Sequence, residues 1–239
     1  MERINNIIRN FSKNKIINIP KYIIRNYIKK YSNNYYAIGF IYQFYYENFN
    51  KMKHYYLLAI ELNNSSDAMT NLGFYYHLKQ NIALMSQYYL HAIKLQNSRA
   101  MYYLGLYHLK HSKNYNVMHY YYLKAIELGN SDAMFSLAFY YHFIERNCEL
   151  AKTYYLKSVK LGNSDAMHGL ATYYLYNENN INLMKLYCLK AFKFGNTKSV
   201  IYYHTRLTYD DITKIIKYKL NNIINIRNIC MHYKKYIIY

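Results

Sequence analysis

Cysteine and proline are scarce in this 239-residue chain, and tryptophan is absent. Proline occurs once, at Pro20, and the three cysteines Cys148, Cys188 and Cys230 are odd in number and widely spaced. The sequence has neither a C-x-x-C motif nor a Cys/His zinc spacing. This pattern argues against a zinc module and favours a reducing compartment.

Motifs that carry chemistry are also missing. The sequence contains no P-loop, no dinucleotide-binding glycine fingerprint, no H-E-x-x-H and no nucleophile elbow. No secretory signal is visible, and the longest uncharged run, 31–46, is too short and too polar to span a bilayer. We therefore expect no enzymatic activity, no cofactor and no transmembrane segment.

Acidic residues are few, 12 against 31 Lys and Arg, so the formal net charge is +19. The two ends of the chain are more basic per residue than its middle. Such a balance is typical of proteins that meet nucleic acid or an anionic membrane surface. Because Asn, Ile, Lys and Tyr have A/T-rich codons, genome composition is an alternative cause of the lysine excess on solvated faces.

A repeated segment dominates what is present. The segment AIELGNSDAM begins at Ala125, and related segments begin at Ala59, Ala92, Ser158 and Ala191, each 33 residues after the last. A fixed period of this length is the signature of a repeat architecture, in which each unit packs only on its neighbours. The chain therefore reads as an array of short repeats.

Each repeat is predicted to hold two helices, and the second carries a Tyr-Tyr-Leu-x-Ala core. Spacings of three and four residues place this core and a following apolar residue on one helical stripe. The core segments are 55–59, 88–92, 121–125, 154–158 and 187–191, and the following apolar residues are Leu62, Leu95, Leu128, Leu161 and Phe194.

The second helix is predicted to end at Gly129, Gly162 or Gly195, because glycine suits the left-handed conformation just past a helix. Asn63 and Gln96 stand at that place in the earlier repeats. The next helix is predicted to begin with an N-cap hydroxyl and an acidic first turn. The expected N-caps are Ser66, Ser98, Ser131, Ser164 and Thr197, and the acids are Asp67, Asp132 and Asp165.

The first helix of each repeat has the pattern Ala-Met-x-x-Leu followed by a small residue. That residue is Gly39, Gly73 or Gly105 early in the chain and Ala138 or Ala171 later. Because alanine replaces glycine at this position in later repeats, we expect that the position requires a small side chain at a close helix crossing and does not require positive φ. Large aromatic residues opposite these positions can fill a core that has no tryptophan.

These motifs resemble the Sel-one-like repeat (SLR) family, a relative of the tetratricopeptide repeat, over about 70% of the chain. The resemblance implies an all-α, right-handed α/α solenoid of about five helix-turn-helix repeats with helical caps. One departure is the inter-helix loop, where segments such as 79–81 replace the family's longer, glycine-bearing loop. Arrays of this family in large DNA viruses of amoebae have a similarly biased composition, which is compatible with a viral origin and a cytoplasmic location.

The expected organisation is an N-terminal cap over 1–33, a repeat array over 34–204 and C-terminal capping helices over 205–239. The repeats are predicted at about 34–66, 67–98, 99–131, 132–164 and 165–197, with a degenerate sixth first helix over 198–204. A mitochondrial presequence is the alternative for the basic, amphipathic N-terminus. A basic docking helix is the alternative at the C-terminus, where 208–211 reads as a capping box.

The resemblance implies that the first helices line a concave groove for a protein or peptide partner. The residues expected on this face are Tyr36, Phe40, Gln43, Thr70, Phe74, His77, Tyr102, Leu106, Leu109, Phe135, Phe139, His142, His168, Thr172 and Leu175. Packing against the neighbouring repeat is the alternative role for each. The resulting hypothesis is a non-enzymatic scaffold, and the alternative is an RNA- or single-strand-binding protein with a basic, Tyr-rich surface.

Two other groups of residues invite a chemical interpretation. His108 and His111 stand one helical turn apart with His119 nearby, but no carboxylate or cysteine completes a metal site at a fixed spacing. Asp210 and Asp211 could be acid/base partners, although a role in the first turn of a helix fits them better. Neither group changes the expectation that the chain binds no metal.

Overall fold

The computed structural model describes residues 21–199, 207, 208, 210, 211 and 213. Within these residues all regular structure is helical: eleven α-helices, one π-helical turn and no strand. The predicted fold class is thereby confirmed as an all-α chain of helix pairs, the α/α solenoid class. The expectations for 1–20, for most of the degenerate sixth first helix over 198–204 and for most of 205–239 lie outside the described residues.

The helices follow one another through short connections. Their bounds are α1 Lys21–Lys30, α2 Tyr35–Phe44, α3 Phe49–Asn63, α4 Ser66–Leu78, α5 Ile82–Lys94, α6 Ser98–Tyr107, α7 Tyr115–Glu127, α8 Ser131–Phe143, α9 Cys148–Lys160, α10 Ser164–Tyr176 and α11 Ile181–Lys193. A π-helical turn, His108–Ser112, separates α6 from α7. No helix in the described part of the chain is long and apolar enough to cross a membrane.

The chain forms two compact units, residues 1–128 and 129–239. The first unit contains α1 and the pairs α2/α3, α4/α5 and α6/α7, and the second contains the pairs α8/α9 and α10/α11. In the first unit, α1 buries Ile24 and Tyr27 in one cluster with Ala37 and Ile41 of α2. Helix α1 therefore covers the apolar side of α2.

The core of the first unit is built on the second tyrosine of each Tyr-Tyr pair. Tyr56, Tyr89 and Tyr122 are at most 1% exposed. A Cβ placed on Gly73 would lie 2.5 Å from Cδ1 of Tyr89, and the same clash occurs between Gly39 and Tyr56 and between Gly105 and Tyr122. These glycines are helical and carry no positive φ, so the predicted requirement for small size is confirmed.

In the second unit the space beside the buried tyrosine ring is supplied by a different helix. Here Ala138 and Tyr155 share one buried cluster, and the glycine is Gly169 of the following first helix. A Cβ on Gly169 would lie 2.8 Å from Cζ of Tyr155. In the last pair the tyrosine is replaced by Cys188, which shares the cluster with Ala171. Each large ring thus needs one glycine beside it, in its own pair or in the next.

The predicted N-caps of the first helices are wrong by one residue. The capping side chains belong to Ser65, Asn97, Asn130, Asn163 and Asn196, and the predicted serines or threonine follow them. Asparagine suits this position because its side-chain amide can both accept and donate a hydrogen bond. Asn163 Oδ1 accepts from the Ala166 amide at 2.9 Å, while its Nδ2 donates to Asp132 Oδ1 at 2.8 Å. This second bond ties two consecutive turns together, and we call it the turn staple.

Asparagine also caps the second helix of each repeat, and sequence reasoning missed these caps. Asn48, Asn81, Asn114, Asn147 and Asn180 each accept from the backbone amide three residues ahead. The residue before each cap lies in the left-handed region although none is glycine: Glu47, Gln80, Lys113, Arg146 and Asn179. These caps recur every 33 residues, so the period itself contained the signal.

The stop signals are confirmed, with one shift. Gly129, Gly162 and Gly195 have φ of 76°, 78° and 97°, and Gln96 has φ of 55° at the equivalent place. In the first repeat the left-handed residue is Asn64 and not Asn63, because this turn contains one extra residue.

The apolar stripe of the second helices is narrower than predicted. The leucines after the tyrosines in the first unit, Leu57, Leu90 and Leu123, are 42–47% exposed. The residues expected to close the stripe are also exposed, by 40–61%: Leu62, Leu95, Leu128, Leu161 and Phe194. Three positions of each second helix reach the core: the second tyrosine (Cys188 in α11), the Ala or Ser three residues later, and the Met one turn earlier (Ala151 in α9). These positions face the first helices.

Candidate functional site

Aromatic rings line the exposed side of one first helix in the second unit. Phe135, Phe139 and Phe143 follow one another at four-residue spacing on α8, with ring centroids 6.5 Å and 4.7 Å apart. Phe139 is 43% exposed and Phe143 is 40% exposed, whereas Phe135 also contacts the buried Tyr155 at 6.1 Å. The three rings form a continuous apolar ladder that begins in the core and ends in solvent.

The first unit has an equivalent ladder on α2. Tyr36 and Phe40 lie 6.3 Å apart and Phe40 and Phe44 lie 4.4 Å apart, and Phe44 is 45% exposed. Tyr36 stacks on Tyr56 at 5.9 Å, so this ladder also begins at a core tyrosine. Sequence reasoning named Phe40 and Phe139 but missed Phe44 and Phe143. The four-residue spacing along one helix was the signal that could have found them.

Most of the other expected face residues are half-buried between helices. Phe74 contacts Tyr103 at 5.4 Å and Tyr102 stacks on Tyr122 at 6.0 Å. Gln43, His77, Leu106, Leu109, His168 and Thr172 are likewise half-buried. Their polar groups are engaged locally: Thr172 Oγ1 donates to the His168 carbonyl at 3.1 Å, and His168 Nδ1 meets Ser199 Oγ at 3.1 Å.

Three expected face residues are buried and are removed from the site. Thr70 is 0% exposed, and its Oγ1 donates to the Ser66 carbonyl at 2.8 Å. His142 is 7% exposed and Leu175 is 8% exposed. These side chains face a neighbouring helix and not solvent. They therefore stabilise packing and are not available to a partner.

A polar network in the first unit borders the α2 ladder. Arg99 Nη2 donates to Asn71 Oδ1 at 3.1 Å, and Arg99 Nη1 lies 3.5 Å from Asp67 Oδ1. Asn71 Nδ2 donates to the hydroxyl of Tyr56 at 2.9 Å, which in turn donates to Gln43 Oε1 at 2.6 Å. Burial holds the pKa of Tyr56 well above its ordinary value. The phenol is therefore neutral and acts as a fixed hydrogen-bond bridge.

The other candidate chemical groups have structural partners. His108 Nδ1 lies 2.8 Å from Ser112 Oγ, and His119 Nδ1 lies 2.9 Å from the Tyr115 carbonyl. The described residues hold no group of three or more His, Cys, Asp or Glu that could bind a metal. Asp211 forms the predicted capping box with Thr208, accepting from its amide at 2.9 Å, and this bond is the main reason that the pKa of Asp211 is lowered.

Cys188 is buried among apolar side chains, and burial raises the pKa of its thiol to about 12. A thiol with so high a pKa is almost entirely protonated near neutral pH and is a poor nucleophile. Cys148 opens α9, and its Sγ accepts from Asn177 Nδ2 at 3.1 Å. Neither described cysteine has the features of an activated thiol.

The comparisons with known proteins rest on structure alone. No protein-family model matches the sequence, and no curated protein matches it. A Sel1 repeat protein from Oxalobacter formigenes is similar in structure, with a TM-score of 0.58 over 70% of this chain and 74% of that one. The fold is the Sel-one-like repeat fold. Sequence identity to that SLR protein is 19%, so the likeness concerns the fold.

A second solved structure with the SLR fold agrees. It is c5321, described as a protective antigen present in uropathogenic Escherichia coli strains. The TM-score is 0.53 at 19% identity, and the match covers 77% of this chain but only 44% of that one. This chain therefore matches less than half of the length of c5321.

Proposed function

We propose that this chain is a non-enzymatic scaffold that binds a protein or peptide partner on the exposed ladders of its first helices. The observation that carries the proposal is the pair of ladders, Tyr36–Phe40–Phe44 and Phe135–Phe139–Phe143. Exposed aromatic rings adjoining a well-packed core are the usual anchors of protein interfaces. The SLR fold supports the proposal, because it is a framework of repeated helix pairs in which first helices recur.

The exposed surface of the outer rings is large enough to contribute to binding. A phenylalanine covers about 200 Å², so a ring that is 43% exposed leaves roughly 85 Å² of apolar surface in water. Covering it contributes about 2 kcal/mol at ~25 cal/mol per Å². Two such rings on one helix, Phe139 and Phe143, are enough to favour a partner that carries apolar anchors spaced along an extended segment or a helix.

The non-enzymatic part of the proposal is supported by where the reactive groups lie. Cys188 has a protonated thiol, Asp211 caps a helix, and His108 and His119 are bonded within their own helices. Each group thus has a structural role that accounts for its position. The free cysteines Cys148 and Cys188 also suit a reducing compartment such as the cytoplasm.

Nucleic acid is the second candidate, and a specific feature favours it. Stacked tyrosine pairs with a lysine above them recur on the second helices: Lys157 lies 5.0 Å from the ring of Tyr154, and Lys190 lies 5.2 Å from the ring of Tyr187. Rings and cations together can hold single strands. However, Tyr154 and Tyr187 each use one face on a neighbouring tyrosine, so few ring faces remain for bases.

The test is a pull-down with the tagged full chain, with each lysate split into nuclease-treated and untreated halves. The variant Phe44→Ala with Phe139→Ala removes one exposed ring from each unit, and Leu62→Ala with Leu161→Ala is the matched control on the second helices. We expect the same partners in both halves, and loss of at least tenfold in the ladder variant only. Retention that disappears with nuclease, or equal loss in both variants, would contradict the proposal.

A further inference from the structure

The second helices of the second unit end in a cluster of lysines. Lys157 and Lys160 lie in the last turn of α9, and Lys190 and Lys193 lie in the last turn of α11. All four side chains are exposed. Each pair is spaced three residues apart, so both lysines of a pair lie on one side of their helix.

An exposed apolar residue follows each lysine pair. Leu161 is 54% exposed and Phe194 is 60% exposed. The ring of Phe194 lies 3.5 Å from where a Cβ on Gly162 would be, so the ends of α9 and α11 adjoin. Lys157, Lys160, Leu161, Lys190, Lys193 and Phe194 thus make one surface, which we call the lysine face.

The lysine face is turned away from the core of the second unit. The opposite sides of the same helices bury Tyr155 and Ser158 on α9, and Cys188 and Ala191 on α11. The only acid on the two helices is Glu149, in the first turn of α9, at the other end from the lysines. The positive charges of Lys157, Lys160 and Lys190 are therefore not balanced by carboxylates of their own helices.

We propose that the lysine face docks on an anionic lipid surface, a role separate from partner binding on the first helices. Lysine ammonium groups attract acidic headgroups, and their apolar stems permit Leu161 and Phe194 to enter the boundary with the acyl chains. A bilayer needs no complementary recess, which suits a surface of helix ends that carries protruding side chains. The exposed Leu161 beside the lysines favours a lipid surface over a nucleic-acid groove, because an aliphatic side chain offers a base no ring on which to stack.

The first unit provides an internal comparison at equivalent positions. The places of the lysine pair are taken there by Leu58 and Glu61 on α3, by His91 and Lys94 on α5, and by Lys124 and Glu127 on α7. Lys124 Nζ is paired with Glu127 Oε2 at 3.0 Å. None of these helix ends therefore carries two lysines beside its exposed leucine, and we expect them to bind lipid much more weakly than the lysine face.

The test is co-sedimentation of the full chain with vesicles of phosphatidylcholine alone and with about one-third phosphatidylserine. We expect binding only to the anionic vesicles, weakening as salt is raised. Lys160→Gln with Lys190→Gln should weaken partitioning about 25-fold, since each lysine near the surface contributes about fivefold. Leu161→Ser with Phe194→Ser should weaken it at unchanged net charge. Circular dichroism checks that each variant is helical.

The matched control is Lys94→Gln with Lys124→Gln, which removes the same charge from equivalent helix positions of the first unit. Its binding should change less than threefold. An equal loss in this control would show attraction by net charge alone and would overturn the lysine face. Absence of binding to the anionic vesicles at low salt, or binding of poly(U) by these lysines in place of vesicles, would overturn the lipid proposal.

Discussion

The two units solve the same packing problem in opposite ways. In the first unit each buried tyrosine lies against a glycine of its own helix pair, as Tyr89 does against Gly73. In the second unit the own-pair residue is Ala138, and Tyr155 lies against Gly169 of the next pair. The fold therefore requires space beside the ring and does not fix which helix supplies it.

The turns differ as well. In the second unit Asn163 caps α10 and staples its turn to Asp132, and Asn196 does the same with Asp165. In the first unit the turn before α4 is capped by Ser65, whose hydroxyl only accepts, from the Ala68 amide at 3.3 Å. An open polar pocket of about 700 Å³ lies beside this turn, lined by 30–36, 59 and 63–67. The Ser65 cap thus has no amide that could donate to the preceding turn, whereas the following turn is stapled to this one by Asn97 Nδ2, which donates to Asp67 Oδ1 at 3.1 Å.

The largest effect on stability is expected when neither helix beside Tyr155 supplies a glycine. Gly169→Ala would place methyl groups on both sides of Tyr155, and we expect a loss of about 1–3 kcal/mol in the free energy of unfolding. Adding Ala138→Gly reopens the space that Gly73 provides in the first unit, and should recover part of that loss. A double-mutant cycle from urea unfolding measures this coupling.

The control for this cycle is Ala138→Gly alone, which should cost about 1 kcal/mol because glycine is a poor helix former. Strict additivity of the two changes would show that Ala138 and Gly169 do not share the ring of Tyr155. The exchange of glycine between helices would then have no packing cause.

The next largest effect concerns the turn staple. Asn163→Ala removes the cap and the donor to Asp132, and should cost about 2 kcal/mol, against about 1 kcal/mol for Ser65→Ala, which removes a cap only. Asn163→Asp keeps the capping acceptor but places a second carboxylate beside Asp132, so it should also destabilise. Thermal unfolding of the three variants is the measurement. Equal losses for Asn163→Ala and Ser65→Ala would leave the staple without an energetic role.

Local signals in the sequence predicted much of the framework. Helix stops at Gly129 and Gly162, acidic first turns at Asp132 and Asp165, and the small residues of the first helices all follow from backbone and steric rules within one repeat. The staple could not be predicted in that way. It depends on an amide of one turn reaching the carboxylate of another, 31 residues away, which only packing brings together.

The candidate site was predicted less well for a similar reason. Sequence spacing placed Phe139 and His142 on the same exposed face, but the structure exposes Phe139 and buries His142. Two residues three apart on a helix point in directions that differ by about 60° around the helix axis. That difference is enough to place one side chain in solvent and the other in an interface. Whether a side chain near the edge of this face is exposed therefore depends on the angle at which the next helix pair packs.

A smaller effect is expected at the left-handed residues before the second helices. Arg146 has φ of 61° in the second unit and Lys113 has φ of 51° after the π-helical turn of the first. Arg146→Gly should stabilise the chain by up to about 1 kcal/mol, because glycine adopts this conformation without strain. Lys113→Gly tests whether the π-helical turn changes that gain. Gly162→Ala, at φ of 78°, is the control and should destabilise.

The smallest effect is expected from acid, and it should separate the units through His142 and His77. Burial is the main cause that lowers the pKa of both imidazoles; Arg146 adds to it at His142, and His111 and Lys110 add to it at His77. His142 Nε2 is bonded to Asn177 Oδ1 at 2.9 Å, and its buried Nδ1 makes no hydrogen bond within the described residues, so a proton there finds no acceptor.

Because the folded pKa is the lower one, the unfolded chain binds protons first as pH falls through about 6.5, and stability is lost from there down to the folded pKa. Above that window both states are neutral and the histidine has no effect on the pH dependence. His142→Gln should remove more of the acid sensitivity than His77→Gln, since His77 is half-exposed and water can solvate its charge. Urea midpoints at several pH values between about 4 and 8 measure the difference. Equal slopes for the two variants would mean that burial of His142 does not set the acid response of the second unit.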